Sequence, residues 1–182
     1  DQVVTITLNG QAYTGSVSSN AATVTITASG LQALTDGNTY SLTADVSDVA
    51  GNAAAQVTSA SFTVDTTLPT ISAIATSAFS WGSHLNATED NSDGTVSVTT
   101  SGVEDDQTVT ITLNSATYTA NVSSNAATVT ITASGLQALS EGSETLTADV
   151  SDVAGNAAAT VTSSSFTVDR TATISAIATS AF

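Results

Sequence analysis

Cysteine is absent from this 182-residue chain, so no disulfide can brace it, and neither a thiolate metal site nor a thiol nucleophile exists. Lysine is absent too. One arginine faces 16 acidic residues, for a net charge of −15. Binding to nucleic acid is excluded on that ground, because phosphate contacts require Lys and Arg. An anionic membrane surface would repel the chain, and no apolar run approaches the length of a membrane span. A single histidine argues against Zn²⁺ or Cu²⁺. Aromatic residues make up only 4%, too few for a glycan-binding platform. What remains is Ala, Thr, Ser and Val. With 41% apolar residues and a mean hydropathy of +0.21, this composition folds rather than staying disordered. An acidic, lysine-free surface suits saline or calcium-rich surroundings, where cations screen its self-repulsion, so the expected location is extracellular or at a cell surface. Without disulfides, metal ions are the obvious braces.

The chain repeats itself. DQVVTITLN at 1–9 returns as DQTVTITLN at 106–114, and SSNAATVTITASGLQAL at 18–34 returns unchanged at 123–139. ADVSDVAGNAAA at 44–55 returns at 148–159, one residue out of step, and ISAIATSAF at 71–79 returns at 174–182. Near-identity at a domain-sized period marks a tandem array. The repeat divides the chain into an incomplete copy at 1–65 that lacks its first two strands, a complete copy at 66–169, and the first strand of a third copy at 170–182. Both ends fall inside copies, and the expectation is a window on a longer polymer, with neither terminus taken as native and room for an export signal outside it. Arrays of near-identical domains extend, space or assemble, and no catalytic role is expected.

Within the complete copy, apolar and polar residues alternate with period two, as in half-buried strands. Strands are expected at 71–76, 94–100, 107–113, 117–122, 127–133, 144–150 and 160–168. Turn signals fall between them at Asn91-Ser92-Asp93-Gly94, Asn114-Ser115, Ser123-Ser124-Asn125, Ser134-Gly135 and Ala154-Gly155-Asn156. Leu136–Leu139 reads as one helical turn between two sheets. Seven short strands in about 100 residues predict an all-β fold, a tandem array of immunoglobulin-like seven-strand β-sandwiches.

VDTTLPTISAI at 64–74, LNATEDNSDG at 85–94 and LTADVSDVAGN at 42–52 and 146–156 carry a resemblance. The chain resembles bacterial immunoglobulin-like repeats, which fill the stalks of giant secreted adhesins, including those of the repeats-in-toxin type. The resemblance implies a structural extender. Related domains also decorate phage tails and capsids, which keeps open a subunit of an extracellular fibre or virion appendage, with identical chains as partners and strand exchange as the means of assembly. The second boundary departs from the first: Val168-Asp169-Arg170-Thr171-Ala172 lacks one residue and the proline.

The acids gather where loops are expected to meet. In a seven-strand sandwich, the second–third and sixth–seventh loops share the pole where the chain comes in. The first–second and fifth–sixth loops share the pole where it leaves. Around Asp65 this places Asp36 of the first copy with Glu104, Asp105, Asp106, Asp152 and Asn156 of the second. Around Asp169 it places Glu89, Asp90, Asp93 and Glu141. Asp48 and Asn52 hold the place of Asp152 and Asn156 in the first copy. Such clusters repel themselves unless a cation intervenes. Ca²⁺ accepts six to eight oxygens from carboxylate, amide and carbonyl groups, whereas Mg²⁺ demands a tighter octahedron. Calcium bridging neighbouring repeats is the expectation. The alternative is that these are solvated turns, since Asp and Asn are turn formers.

Other signals carry less. Ser83, His84 and an acid cannot form a triad from adjacent positions, and His84 is read as a loop histidine. Trp81 is read as capping a sandwich edge or filling a seam between repeats. The Thr-x-Thr rows are read as solvent-facing strand residues. The triplets at Asn86 and Asn121 match glycosylation sequons, which are frequent in so Ser/Thr-rich a chain.

Overall fold

Threonine alternates with valine, isoleucine or leucine through TVTITL, a pattern that gives a pleated strand one apolar face and one wettable face. Both copies of that segment are strands in the structure, a computed structural model that describes residues 2–174. The chain divides into two compact units, Asp1–Thr66 and Thr67–Phe182. The first comprises β1 (Val3–Leu8), β2 (Gln11–Ser16), the single-turn α1 (Ala28–Gln32), β3 (Thr39–Tyr40), β4 (Thr43–Val46), β5 (Val57–Thr58) and β6 (Phe62–Thr63). The second comprises β7 (Thr70–Ile71), β8 (His84–Leu85), β9 (Gly94–Ser101), β10 (Thr108–Leu113), β11 (Ala116–Asn121), β12 (Ala126–Ile131), α2 (Ala133–Gln137), β13 (Gly142–Glu144), β14 (Thr147–Asp149), β15 (Val161–Thr162) and β16 (Phe166–Val168).

In the second unit one sheet runs β11-β10-β14-β15 and a second runs β12-β9-β7. A further sheet, β13-β16-β8, carries on the strands that lead into and out of the unit. The inward residues of these sheets, among them Val96, Val98, Val109, Ile111, Val129, Ile131, Ala148 and Phe166, form one core and are almost wholly removed from water. This is the expected all-β, immunoglobulin-like sandwich. The β10–β11 hairpin closes on Asn114 and Ser115, both with positive φ (48° and 64°), the backbone that matches the right-handed twist of two paired strands.

Trp81 is a core residue, not an edge cap or seam filler. It stacks on Phe79 (centroids 5.1 Å, interplanar angle 17°) and meets Phe166 edge-on at 5.4 Å. A Cβ on Gly94 would lie 2.6 Å from the indole, so the first position of β9 must be glycine. Of the expected first strand at 71–76 only Ile71 is strand: β7 pairs antiparallel with β9, a 3-10 turn follows at Thr76–Ala78, and a separate strand beyond the expected span, β8, pairs parallel with β16. His84 therefore lies on a strand and not in a loop. Its exposed ring meets its neighbour Ser83, Oγ to Nδ1 3.0 Å.

The last two expected strands are each broken in two, by a single bulge. Between the β13–β16 and β14–β15 pairings, Thr145 and Leu146 oppose Ser163, Ser164 and Ser165. Leu146 and Ser163 stay bonded across the gap (Ser163 N to Leu146 O 2.9 Å), and the extra residue Ser164 donates to Ile74 O at 2.8 Å. The bulge thereby ties the last strand to the first. The helical turn starts three residues earlier than expected. Thr132 caps it, its hydroxyl accepting from Gly135 N at 3.2 Å. Gly135 lies under Tyr118, whose hydroxyl a Cβ would meet at 1.9 Å.

The first unit has a four-stranded sheet, β2-β1-β4-β5, and the β3–β6 pair. Its residues 22–27 are sequence-identical to 127–132 and form no strand. Strand β12 exists because it pairs with β9, and this unit contains no counterpart of β9. Leu31 is accordingly 50% exposed where its equivalent Leu136 is 0%, and Phe62 38% where Phe166 is 1%. Of the segment 170–182, residues 175–182 lie outside the described residues.

Candidate metal centres at the poles

The DVAGN loop is built the same way in both copies. Its aspartate turns back on its own asparagine. Asp48 Oδ1 accepts from Asn52 N at 2.7 Å and Oδ2 from Asn52 Nδ2 at 2.8 Å, and the Asp152–Asn156 pair has the same two distances. Gly51 and Gly155 take φ of 91° and 92°, which a side chain would strain. Hydrogen bonds from the side chain and then the N–H of Asn52 hold the Asp48 carboxyl below the usual aspartate range. Burial pushes Asp152 up, but hydrogen bonds from Asn156, Gly155 and Ala154 outweigh it and the carboxyl is again lowered. Both aspartates are therefore ionised and already committed as acceptors within their own loop.

At the pole where the chain comes into the second unit, the loops meet as the topology requires. Glu104 Oε2 accepts from Val153 N at 3.0 Å, joining the β9–β10 and β14–β15 loops. Asp105 Oδ1 accepts from Ser124 N at 2.8 Å. Asp106 sits in left-handed backbone (φ 71°), its N–H on Val122 O. A Cβ on Gly102 would touch Pro69, which places this loop beside the incoming chain. In the first unit, Asp36 Oδ1 accepts from both the N–H (2.5 Å) and hydroxyl (2.9 Å) of Thr66, one residue after Asp65.

The opposite pole of the second unit holds Glu89, Asp90, Asp93, Glu141 and Asp169, and each has a defined task. Glu89 Oε2 accepts from Asn86 N at 3.1 Å, closing a short turn, and Asp93 Oδ1 accepts from Ala133 N at 2.8 Å at the start of α2. Asp169 Oδ1 accepts from Thr171 N at 3.3 Å. Asp90, 5% exposed, pairs with Arg170 Nε at 2.5 Å. Glu141 accepts from Arg170 N at 3.1 and 3.2 Å and lies 3.8 Å from its Nη1.

Among the described residues, no three His, Asp or Glu side chains converge as a ready metal site. The donors at both poles are nonetheless oxygens alone, which suits a hard divalent cation and no softer one. Glu104 and Asp105 each engage one carboxylate oxygen with a backbone N–H.

Similar solved structures come from large bacterial adhesins. One is a calcium-stabilised adhesin with which an Antarctic bacterium reaches out and binds ice (30% identity, 94% of this chain and 41% of that one, TM-score 0.48). Another is a 1.5-MDa bacterial ice-binding adhesin, described for its retention at the host cell surface (29% identity, 93% and 54%, TM-score 0.44). A third is a single bacterial immunoglobulin-like domain from the M. primoryensis ice-binding adhesin, 30% identical over 96% of its length and 56% of this chain (TM-score 0.38). This chain belongs to the bacterial immunoglobulin-like domains. No family model and no curated protein matches the chain. It spans about two-fifths to a half of the length of the first two of these adhesin structures.

For a bacterial immunoglobulin-like domain, the residue that sequence reasoning passed over is Arg170. It registered only as a departure at the second boundary, yet it reaches the centre of the downstream pole. The signal was present: the one arginine of a lysine-free chain stands immediately after an acid that ends the last strand.

Proposed function

We propose that this chain is a non-catalytic extender segment of a surface or secreted bacterial adhesin, its copies taken as 1–65, 66–169 and 170–182, with Ca²⁺ stiffening the junction at Asp65. The observation that carries the reading is the meeting of Glu104 with the DVAGN loop at Val153 N, beside the incoming chain. Three acids in succession, Glu104, Asp105 and Asp106, stand on that loop, and a fourth, Asp65, ends the preceding copy in the sequence. The calcium-stabilised adhesin among the similar structures supports the same reading. The ion supplies the positive charge and the oxygen coordination that a short linker lacks, since small interfaces between domains otherwise leave a hinge. Neighbouring copies of the same chain are the partners, and the setting is extracellular. No described helix is long and apolar enough to cross a membrane.

Small-angle scattering of the 182-residue chain in Ca²⁺ and in EGTA tests this. The maximum dimension is expected to grow and its distribution to narrow in calcium, and Asp65→Ala together with Asp106→Ala is expected to remove the difference. Identical profiles in the two buffers would remove calcium stiffening from the account.

A further inference from the structure

Arg170 is the molecule's only lysine or arginine, and its guanidinium makes contacts in three directions. Nε donates to Asp90 Oδ2 at 2.5 Å, Nη1 to Leu139 O at 3.0 Å, and Nη2 to Leu136 O at 2.7 Å, with Glu141 Oε1 3.8 Å from Nη1. The Arg170 side chain is 19% exposed and that of Asp90 7%. Two carboxylates and two carbonyls from two stretches far apart in sequence, the Asp90 turn and residues 136–141, thus converge on one cation. The carbonyls lie at the end of α2 and just beyond it; Leu136 O also accepts from Leu139 N at 3.2 Å, so the guanidinium is its second donor. A planar fork of donors satisfies both at once.

At the equivalent place in the first copy stands Thr66. Its N–H donates to Asp36, as the N–H of Arg170 does to Glu141. The backbone arrangement is shared and the guanidinium is not.

We propose that Arg170 is the resident cation of the downstream pole: it occupies the oxygen-lined position between the Asp90 turn, the end of α2 and Glu141, and closes that end of the unit without a divalent ion. The contrast with the Asp65 boundary rests on the calcium reading above; the assignment of Arg170 does not. A buried carboxylate left without its partner is strongly unfavourable. Replacing Arg170 by the threonine of the other boundary would leave Asp90, Glu141 and both carbonyls without their cation, a donor set of the kind calcium accepts.

The test is calcium titration, by calorimetry and equilibrium dialysis, of the full 182-residue chain and its variants. Arg170→Thr is expected to bind one Ca²⁺ equivalent more than the unaltered chain, and Arg170→Thr with Asp90→Asn to lose that equivalent. In the unaltered chain, Asp90→Asn is expected to leave the calcium count unchanged. It should also lower the melting temperature read from Trp81 fluorescence equally in Ca²⁺ and in EGTA. A loss of bound calcium on Asp90→Asn alone would overturn the proposal, even if the Arg170→Thr chain fails to fold. So would an Arg170→Thr chain that folds and gains no ion. Should the unaltered chain bind no calcium while Arg170→Thr binds one, the stiffening at Asp65 fails and the role of Arg170 stands. Calcium bound by the unaltered chain with no gain in the variant gives the reverse.

Discussion

The aspartate of the DVAGN loop shows how much one carboxylate does before any ion arrives. Asp152 accepts two hydrogen bonds from Asn156 and is 4% exposed, and its hydrogen bonds outweigh burial and lower its pKa. A carboxyl whose folded pKa lies below its unfolded value of about 3.9 stabilises the fold above that value, and the contribution is lost as pH falls through the folded one. Asp152→Asn is therefore expected to lower the stability of the second unit at neutral pH. The deficit relative to the unaltered chain should shrink below about pH 4, as the native carboxyl itself takes up a proton. Chemical denaturation at a series of pH values, read by Trp81 fluorescence, checks this. A constant deficit down to strong acid would mean that shape, not charge, is what the loop needs. Asp90 makes a different bargain, since a fixed guanidinium answers its charge.

At the scale of elements, one sequence takes two forms. Ala126–Ile131 is strand β12, bonded to β9, whereas the identical residues 21–26 have no ladder to join. Hydrogen exchange followed residue by residue by NMR is expected to find the Ala127 and Val129 amides, which face β9, protected and those of Ala22 and Val24 exchanging readily, despite their shared chemistry. Equal protection would show that residues 21–26 find a partner the unit lacks here. The same principle explains what could be read beforehand. The strands at 94–101, 108–113, 116–121 and 126–131 were legible to within a residue or two, because each alternates cleanly and ends at a turn such as Asn114-Ser115. The first strand was not, because SAIATSAF alternates poorly and its two ends join different sheets. The bulge at Ser163–Ser165 was hidden as well, since three serines in a row carry no period. The sharing of loops at each pole followed from topology. The partners of Asp93 and Asp105 did not, for a backbone N–H leaves no mark in a sequence.

Across the whole molecule, burial differs sharply between units of near-identical sequence. Ile131 is fully buried and its equivalent Ile26 only partly so. Thermal unfolding of the 182-residue chain is expected in two steps, the first unit before the second. Trp81, the only tryptophan, lies in the core of the second unit, so its fluorescence follows the later step alone. Ile131→Ala should destabilise that step by about 2–5 kcal/mol, the range for a large aliphatic side chain removed from a packed core. Ile26→Ala should cost less and move only the earlier step, detected by circular dichroism. A single transition seen by both probes would join the two units into one cooperative body.

The placement of Arg170 also bears on survival outside a cell. Digestive enzymes that cut after lysine or arginine find a single target bond in 182 residues, the one following Arg170. Such an enzyme must draw the side chain into a deep specificity pocket, and here it is already held by Asp90 and by the carbonyls of Leu136 and Leu139. Cleavage there has to wait for that end of the unit to open. To trypsin-like hydrolysis the native chain offers nothing to grasp.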